Sequence, residues 1–520
     1  MISRAERRWA LIFAAIVMAA TTVPYIVAAG AQRDGWQFGG FLIGVEDGNV
    51  YLAKMRQGAM GQFLNTLSHS TEPQTPALIY PVLHVLGWLA GPEPWAEIVA
   101  YHAARVAAGL LLLAVSYLFA ARFIEAVAVR RLALLLIALG GGLGWLLAIA
   151  SPSALYGSLP VDFILPEAFT YLMLFGLMHL ALGRALLLLA LLAYLNKRGL
   201  WAGLALLGVG LAQPLYIVVG WAVMGAHAAQ GWWLDRRGDE AVADMRHDWQ
   251  AALVAVAVSA PLVVYNALVL GLDPALAQWM AQNVLPSPHP VHYALAYGVL
   301  LVPAAAGWRA LWRRDARLAL FAGTWVALGL VLAYAPIPTQ RRLVEGVQLP
   351  LVVLAVLGLQ SLAGRPRRLA VGLVLALTLP TTALLYLGSL GAARNVAEPA
   401  FHPPDQLAAL AWLRQNAALG DAGLAAFETG NVLPAYTPLR AYVGHGPETL
   451  FIRDKLPRVA AFYTAATADD ERRLLLAEAG IDFVIFGPRE AALGGFDPRT
   501  SPYLAWRFET GRYAIYAVSP

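Results

Sequence analysis

The chain has 520 residues, of which 59% are hydrophobic and 13% charged, and its mean hydropathy is +0.61. Soluble globular proteins carry about 25% charged residues, so this composition cannot cover a water-compatible surface and excludes a cytosolic enzyme, a nucleic-acid binder and a disordered scaffold. The net charge of +5 and pI near 9.3 point to membrane topology, and the absence of cysteine removes disulfides, thiolate metal sites and cysteine nucleophiles.

A membrane span needs about 20 apolar residues, and the chain offers about eleven such stretches. They are 9–29, 97–121, 132–150, 172–195, 200–213, 214–233, 251–271, 293–312, 317–335, 346–363 and 369–390. The first follows MISRAERR, the basic start of a signal peptide, with small residues at Ala28–Ala31 for cleavage. Its apolar run is longer than an ordinary signal core, so a retained first span is expected.

Residues 31–95 form an unusually long connection, and long ordered loops are usually functional. Within it Glu46 and Asp47 are adjacent acids ahead of Gly48, near the expected membrane surface. Their simplest role is to complete the first turn of a helix. Tyr51, Met55, Met60 and Phe63 predict an amphipathic helix on that surface, with Lys54 and Arg56 towards solvent or lipid headgroups. The stretch TPALIYPVLHVLGWLAG is too short and proline-broken to span and predicts a juxtamembrane helix.

Two later spans contain a cation, Arg105 and Arg184. Such a group faces protein or a water-filled cavity, or snorkels to the interface; Arg105, near an outer end, is expected to snorkel. The connection 151–169 holds Asp162 and Glu167, the latter placed by Pro166 to begin an interfacial helix. Pro214 marks either a tight turn or a kink between two short spans. The loop QNVLPSPHPVHY carries His289, His292 and Tyr293, and PIPTQRRLVEG carries Arg341 and Arg342. From 391 onward hydropathy falls to that of a soluble domain. Helix-like DQLAALAWLRQNA, strand-like GLAAF and LRAYV, two helices, the strand IDFVIFG and a final hairpin predict a small α/β domain.

The cations assign the sides. With alternate connections cytoplasmic, about half of the 37 Lys and Arg fall there, among them Arg4, Arg130, Arg131, Arg236, Arg246, Arg313 and Arg367. The short connections opposite hold Arg33, Lys54, Arg56, Arg341 and Arg342. The expected fold is a polytopic α-helical membrane protein, N-terminus in and C-terminus out. Its membrane module is 1–390, with 31–95 as first external loop, and 391–520 is an extracytoplasmic α/β domain. Its expected place is the cytoplasmic (inner) membrane.

The first external loop with its acidic pair, two juxtamembrane helices, and a Pro…Tyr…Leu…Gly segment entering a span with an early Arg resemble the GT-C superfamily. In this chain those residues are Glu46–Asp47, Pro76, Tyr80, Leu83, Gly91 and Arg105. The superfamily comprises integral-membrane glycosyltransferases with polyprenyl-phosphate-linked donors, and residues 1–125 look most like the bacterial dolichyl-phosphate-mannose and aminoarabinose transferase branch. The resemblance implies Asp47 as base. Glu46 is then an orienter or, with Asp47, a ligand for a divalent cation, Mg or Mn. It also implies a second acid in the next external loop, Asp162 or Glu167, with Asp162 favoured slightly.

A leaving phosphate needs cations, and arginine forks match its oxygens. Arg341 and Arg342 suit that role, against a topology anchor or a salt bridge with Glu345 as alternatives. Lys54 and Arg56 are weaker candidates. His289, His292, Tyr293, Glu167 and Arg105 are further donor or acceptor contacts. His69, His84 and His179 lack close metal-ligand spacing, and the GHGPET segment with His445 and Glu448 reads as an acceptor-recognition loop or, the favoured reading, a glycine-rich turn. The partners implied are a polyprenyl-phosphate sugar donor, a glycan, lipid or protein acceptor, and membrane lipids, with no nucleic acid. Two other classes fit less well: a lipid or solute transporter, for which no inverted repeat of broken helices is evident, and a noncatalytic subunit keeping the same fold.

Overall fold

The computed structural model describes residues 2–150, 155–237, 245 and 247–519. Arg246, counted above with the cytoplasmic cations, lies outside the described residues. In chain order come α1 (Arg4–Gly30), β1 (Gln37–Phe38), α2 (Val45–Ala59), α3 (Pro81–Ala90), α4 (Pro94–Phe123), α5 (Val127–Leu139), α6 (Gly144–Ala150) and α7 (Val161–Ile164). Then follow α8 (Thr170–Gly176), α9 (Met178–Leu195), α10 (Gly199–Ala212), α11 (Leu215–Arg236), α12 (Asp248–Leu272), α13 (Pro274–Gln282), α14 (Val291–Arg314), α15 (Ala316–Leu332), α16 (Gln348–Gln360) and α17 (Gly364–Arg394).

Every expected span falls on one of these helices or on a broken pair. Among the described residues seven helical stretches are long and apolar enough to cross a membrane, or eight if the pair α5 and α6, bent by 41°, counts as one. The difference from about eleven has local causes. Helices α10 and α15 are apolar but only 14 and 17 residues long, and α11 dilutes its apolar run with His227 and Gln230. Pro214 does separate two helices, because Gln213 is extended between α10 and α11. In α12 and α17 only 17% of the most apolar window is buried within the protein. Side chains such as Leu253, Leu268, Leu373 and Leu387 therefore need a hydrocarbon solvent.

The helices fall into two compact units. The helical unit comprises Met1–Pro24, His102–Tyr265 and Leu285–Leu390. Its α14 and α16 approach closely because a Cβ on Gly307 would strike the Leu354 carbonyl and one on Gly358 the Pro303 carbonyl. Buried ion pairs join its helices: Arg130 to Glu6 at 2.7 Å, Arg317 to Asp248 at 2.6 Å and Arg184 to Glu345 at 2.5 Å.

The second, mixed unit comprises Tyr25–Tyr101, Asn266–Val284 and Gly391–Pro520. Its last segment contains β2 (Phe401–His402), α18 (Pro404–Asn416), β3 (Ala422–Leu424), α19 (Phe427–Tyr436), β4 (Arg440–Ala441), α20 (Ile452–Phe462), α21 (Asp469–Ala479), β5 (Phe483–Phe486), α22 (Pro488–Gly494), β6 (Leu504–Thr510) and β7 (Tyr513–Val518). Five strands form one sheet in the order β4-β3-β5-β7-β6, parallel from β4 to β5 and antiparallel beyond. The expected strands and helices are all present. Helix α19 was not expected, because Gly430 and Pro434 interrupt its pattern. Strands β1 and β2 pair antiparallel, Gln37 opposite His402, so the first loop is tied to the C-terminal segment.

Helix α2 differs from its expected surface position. It is buried on most sides, including Asn49, Leu52, Lys54, Met55 and Arg56, and Phe63 lies beyond its end. It packs against α3 at glycine contacts, since a Cβ on Gly58 or Gly87 would strike the backbone of the partner helix. Tyr80 and Gly91, two residues of the sequence resemblance, bound α3 at φ 51° and 78°.

Candidate functional site

Gly44, left-handed at φ 60°, starts α2 without a side-chain cap. Glu46 and Asp47 therefore stand in its first turn, near the positive end of the helix dipole. Their side chains keep 47% and 59% exposure. Glu46 Oε1 accepts the Gly446 backbone N–H at 2.9 Å, and the Asn431 amide donates to the Glu46 carbonyl at 3.2 Å. His445 Nε2 lies 3.2 Å from Asp47 Oδ1 and 4.0 Å from Glu46 Oε1.

Two helical turns further on, Lys54 Nζ meets Glu448 Oε1 at 2.5 Å, both groups buried. Burial pushes the Glu448 carboxyl up, but the adjoining Lys54 charge prevails and holds it at about 2. Arg56 is buried as well. It donates to Glu97 at 2.8 Å and to the carbonyls of Ala435 and Pro92 at 3.0 Å. The expected solvent or headgroup position of Lys54 and Arg56 is thus corrected: both cations are spent on internal partners distant in sequence.

The GHGPET segment stands out in the sequence, but its contact with the acidic pair does not. The partners of its Gly446, His445 and Glu448 lie about 400 positions away in Glu46, Asp47 and Lys54, so the contacts themselves could not be read locally. Its histidine and glutamate were the only available signal.

In the helical unit a cavity of about 340 Å³ is lined by Tyr156, Ser158, Ser287, His289 and Arg341 among others. The Tyr156 and His289 rings stack over 4.4 Å. Arg342 instead pairs with Glu167 at 3.7 Å. His292 is buried against the Leu155 carbonyl at 2.8 Å, and Tyr293 hydrogen-bonds Ser287 at 3.1 Å. Glu345, offered as a partner of the loop arginines, is bound by Arg184, which also donates to the Pro166 and Glu167 carbonyls. Arg105 does not snorkel. It is fully buried, bonded to Thr21, Thr22 and the Leu174 carbonyl.

Asp162 is likewise interior. Its Oδ2 accepts the N–H groups of Gly142 and Gly144 and the Thr381 hydroxyl at 2.7–3.2 Å. Burial, the largest influence, pushes its carboxyl up against these three donors. It braces the bend between α5 and α6 and presents no open face for chemistry. Glu167 is buried too, so the second-acid expectation finds no exposed carboxylate at either position.

Among the described residues no group of three or more His, Asp or Glu is arranged to hold a metal, and His69, His84 and His179 do not assemble. The exposed pair Glu46 and Asp47 still fits a hard cation that keeps its waters and takes one or two carboxylates with a substrate phosphate. His445 does not join that set. Its Nδ1 accepts the Glu448 N–H at 3.1 Å, which leaves the ring proton on Nε2.

Neither a family model nor a curated protein matches the sequence. Solved structures do match. The Archaeoglobus fulgidus oligosaccharyltransferase in its apo form has a TM-score of 0.53 at 14% identity over 99% of this chain and 75% of that one. The same enzyme tethered with an acceptor peptide containing the NVT sequon gives 0.51 at 13% identity over 97% and 74%. ArnT from Cupriavidus metallidurans in the apo state gives 0.50 at 16% identity over 97% and 98%. The chain has the GT-C fold. At these identities the likeness speaks for architecture, and the residues must speak for the chemistry.

Proposed function

We propose that this GT-C chain is a membrane glycosyltransferase that moves a sugar from a polyprenyl-phosphate-linked donor to an extracytoplasmic acceptor hydroxyl with inversion. The observation that carries this reading is the Glu46–Asp47 pair. Two adjacent half-exposed carboxylates stand in the first turn of α2, beside the buried pairs Lys54–Glu448 and Arg56–Glu97. The acceptor oxygen attacks C1 of the sugar, the C1–O bond to phosphate breaks, and its electron pair leaves with the polyprenyl phosphate. Asp47 takes the acceptor proton, and Glu46 orients the hydroxyl or shares a bound cation. A divalent cation held by Glu46 and Asp47 would neutralise phosphate charge. Within the helical unit, Arg341 with Tyr156 and His289 lines a cavity whose chemistry suits a lipid-linked phosphate. The cytoplasmic N-terminus, external C-terminal domain and inner-membrane location belong to the same proposal and rest on the distribution of cations.

The test is transfer by the purified full chain in lipid nanodiscs, with synthetic polyprenyl-phosphate hexoses as donors and mass spectrometry of bound lipid. Asp47→Asn is expected to fold and to lose about 10²–10⁴-fold in rate, the range for removing a general base. Arg341→Ala is expected to raise KM for the donor on the order of 10- to 100-fold. An Asp47→Asn protein that transfers at the unsubstituted rate overturns the assignment.

A further inference from the structure

We infer that His445 is a positioning residue for Asp47: held by the clamped turn, its Nε2 binds a carboxylate oxygen and fixes the base relative to the acceptor. The inference rests on the proposed role of Asp47 and adds to it a group from the C-terminal sheet domain, 398 residues away in sequence.

The turn that carries His445 is closed on itself. Gly444 and His445 both donate their backbone N–H to Thr449 Oγ1 at 3.1 Å, and Thr449 N–H returns to the His445 carbonyl at 3.0 Å. It is also clamped from outside. The Gln282 amide donates to the Pro447 and Thr449 carbonyls at 2.7 Å each, and the Ser70 hydroxyl to the Glu448 carbonyl at 3.0 Å. Asp47 and Lys54 are seven residues apart, hence on one face of α2. The turn lies along that face, with His445 at Asp47 and Glu448 at Lys54. Every fixing contact of the turn therefore also fixes the imidazole relative to the carboxylate.

Tautomer follows from the same contacts. A neutral imidazole has one donor and one acceptor nitrogen. The Glu448 N–H points at Nδ1, so Nδ1 is the acceptor and Nε2 the donor. Asp47 Oδ1 accepts from Nε2 at 3.2 Å. With Nε2 already protonated, His445 cannot take the acceptor's proton, and with its lone pair spent it cannot ligate a metal. What remains is orientation. His445 is 6% exposed while the carboxylate it holds is largely open, so a buried, rigid donor aims a solvent-facing base. Catalytic groups need placement within about 0.5 Å, and a misplacement of about 1 Å costs on the order of 100-fold.

The experiment uses the full chain in nanodiscs with synthetic polyprenyl-phosphate mannose and glucose as donor probes, and compares Asp47→Asn, His445→Ala and His445→Gln. The glutamine amide presents an N–H near the place of Nε2. His445→Ala is expected to lower kcat on the order of 10- to 100-fold with KM for the donor unchanged. His445→Gln is expected to recover most of that loss. In parallel, ¹⁵N-histidine spectra, with the His445 signal assigned by its absence from His445→Gln, are expected to show a proton on Nε2 and a shift of that signal in Asp47→Asn. Asp47→Asn inactive while His445→Ala turns over normally overturns the positioning role alone. Asp47→Asn fully active overturns the reading beneath it as well. A ring proton on Nδ1, or a His445 signal indifferent to Asp47→Asn, overturns the inference even if neither donor probe is used.

Discussion

A buried ammonium tolerates the loss of its counter-charge poorly, and Lys54 is such a group. Removing one partner of a buried pair leaves an uncompensated charge and costs about 3–5 kcal/mol, whereas replacing both with apolar groups is often neutral. Lys54→Met is expected to lower the thermal midpoint sharply, and Lys54→Met with Glu448→Leu to recover most of the loss in the same melts. A double variant as unstable as the single one would refute the pairing. The pH dependence has a definite sign. Glu448 is held at about 2 against an ordinary 4.5. Its stabilisation is therefore present above about 4.5 and fades as pH falls towards 2. The double variant is expected to melt more flatly with pH in that window. None of this was legible locally, since Lys54 and Glu448 are 394 residues apart. The acids Glu46 and Asp47 were legible because adjacency and loop position are local features. His445 stood out in its loop, but its contact with Asp47 was not legible.

Elements are specified at shorter range. Each apolar run became a helix because run length and periodicity are read within about 20 residues. Breaks were harder to read, since they depend on what the bend leans against. The α5–α6 bend leans on Asp162, whose Oδ2 collects three donors. Asp162→Ala is expected to cost about 1–3 kcal/mol in stability, the penalty for stranding buried donors, while the folded fraction still transfers sugar. Thermal melts and transfer assays on the same preparation separate the two roles. A protein that melts normally but is inactive would return Asp162 to the chemistry. Helix α19 shows the converse limit. Gly430 and Pro434 hide it in the sequence, yet nearly all of it is buried and Asn431 donates to the Glu46 carbonyl. Gly430 is required there, because its Cβ would strike the Val443 carbonyl.

At the scale of the molecule, composition announced a membrane protein with a soluble-like end, and both are present. The end is less separable than its hydropathy suggests. Its sheet has a core of its own, including Leu424, Tyr463, Leu475, Val484 and Tyr516, all from within the last segment. The same compact unit nevertheless draws on Tyr25–Tyr101 and Asn266–Val284. Helix α19 packs on α2, and the 444–449 turn is clamped by Lys54, Ser70 and Gln282. An isolated 391–520 fragment keeps the core and loses those supports. Hydrogen exchange of that fragment is expected to show β3, β5 and β7 protected as in the full chain, while α19 and the 444–449 turn exchange faster by orders of magnitude, as locally unfolded segments do. Equal protection of α19 in fragment and full chain would mean that the C-terminal segment shapes its half of the carboxylate site alone. Faster exchange would mean that the first loop and α13 build that half with it, so that His445 reaches Asp47 only in the assembled unit.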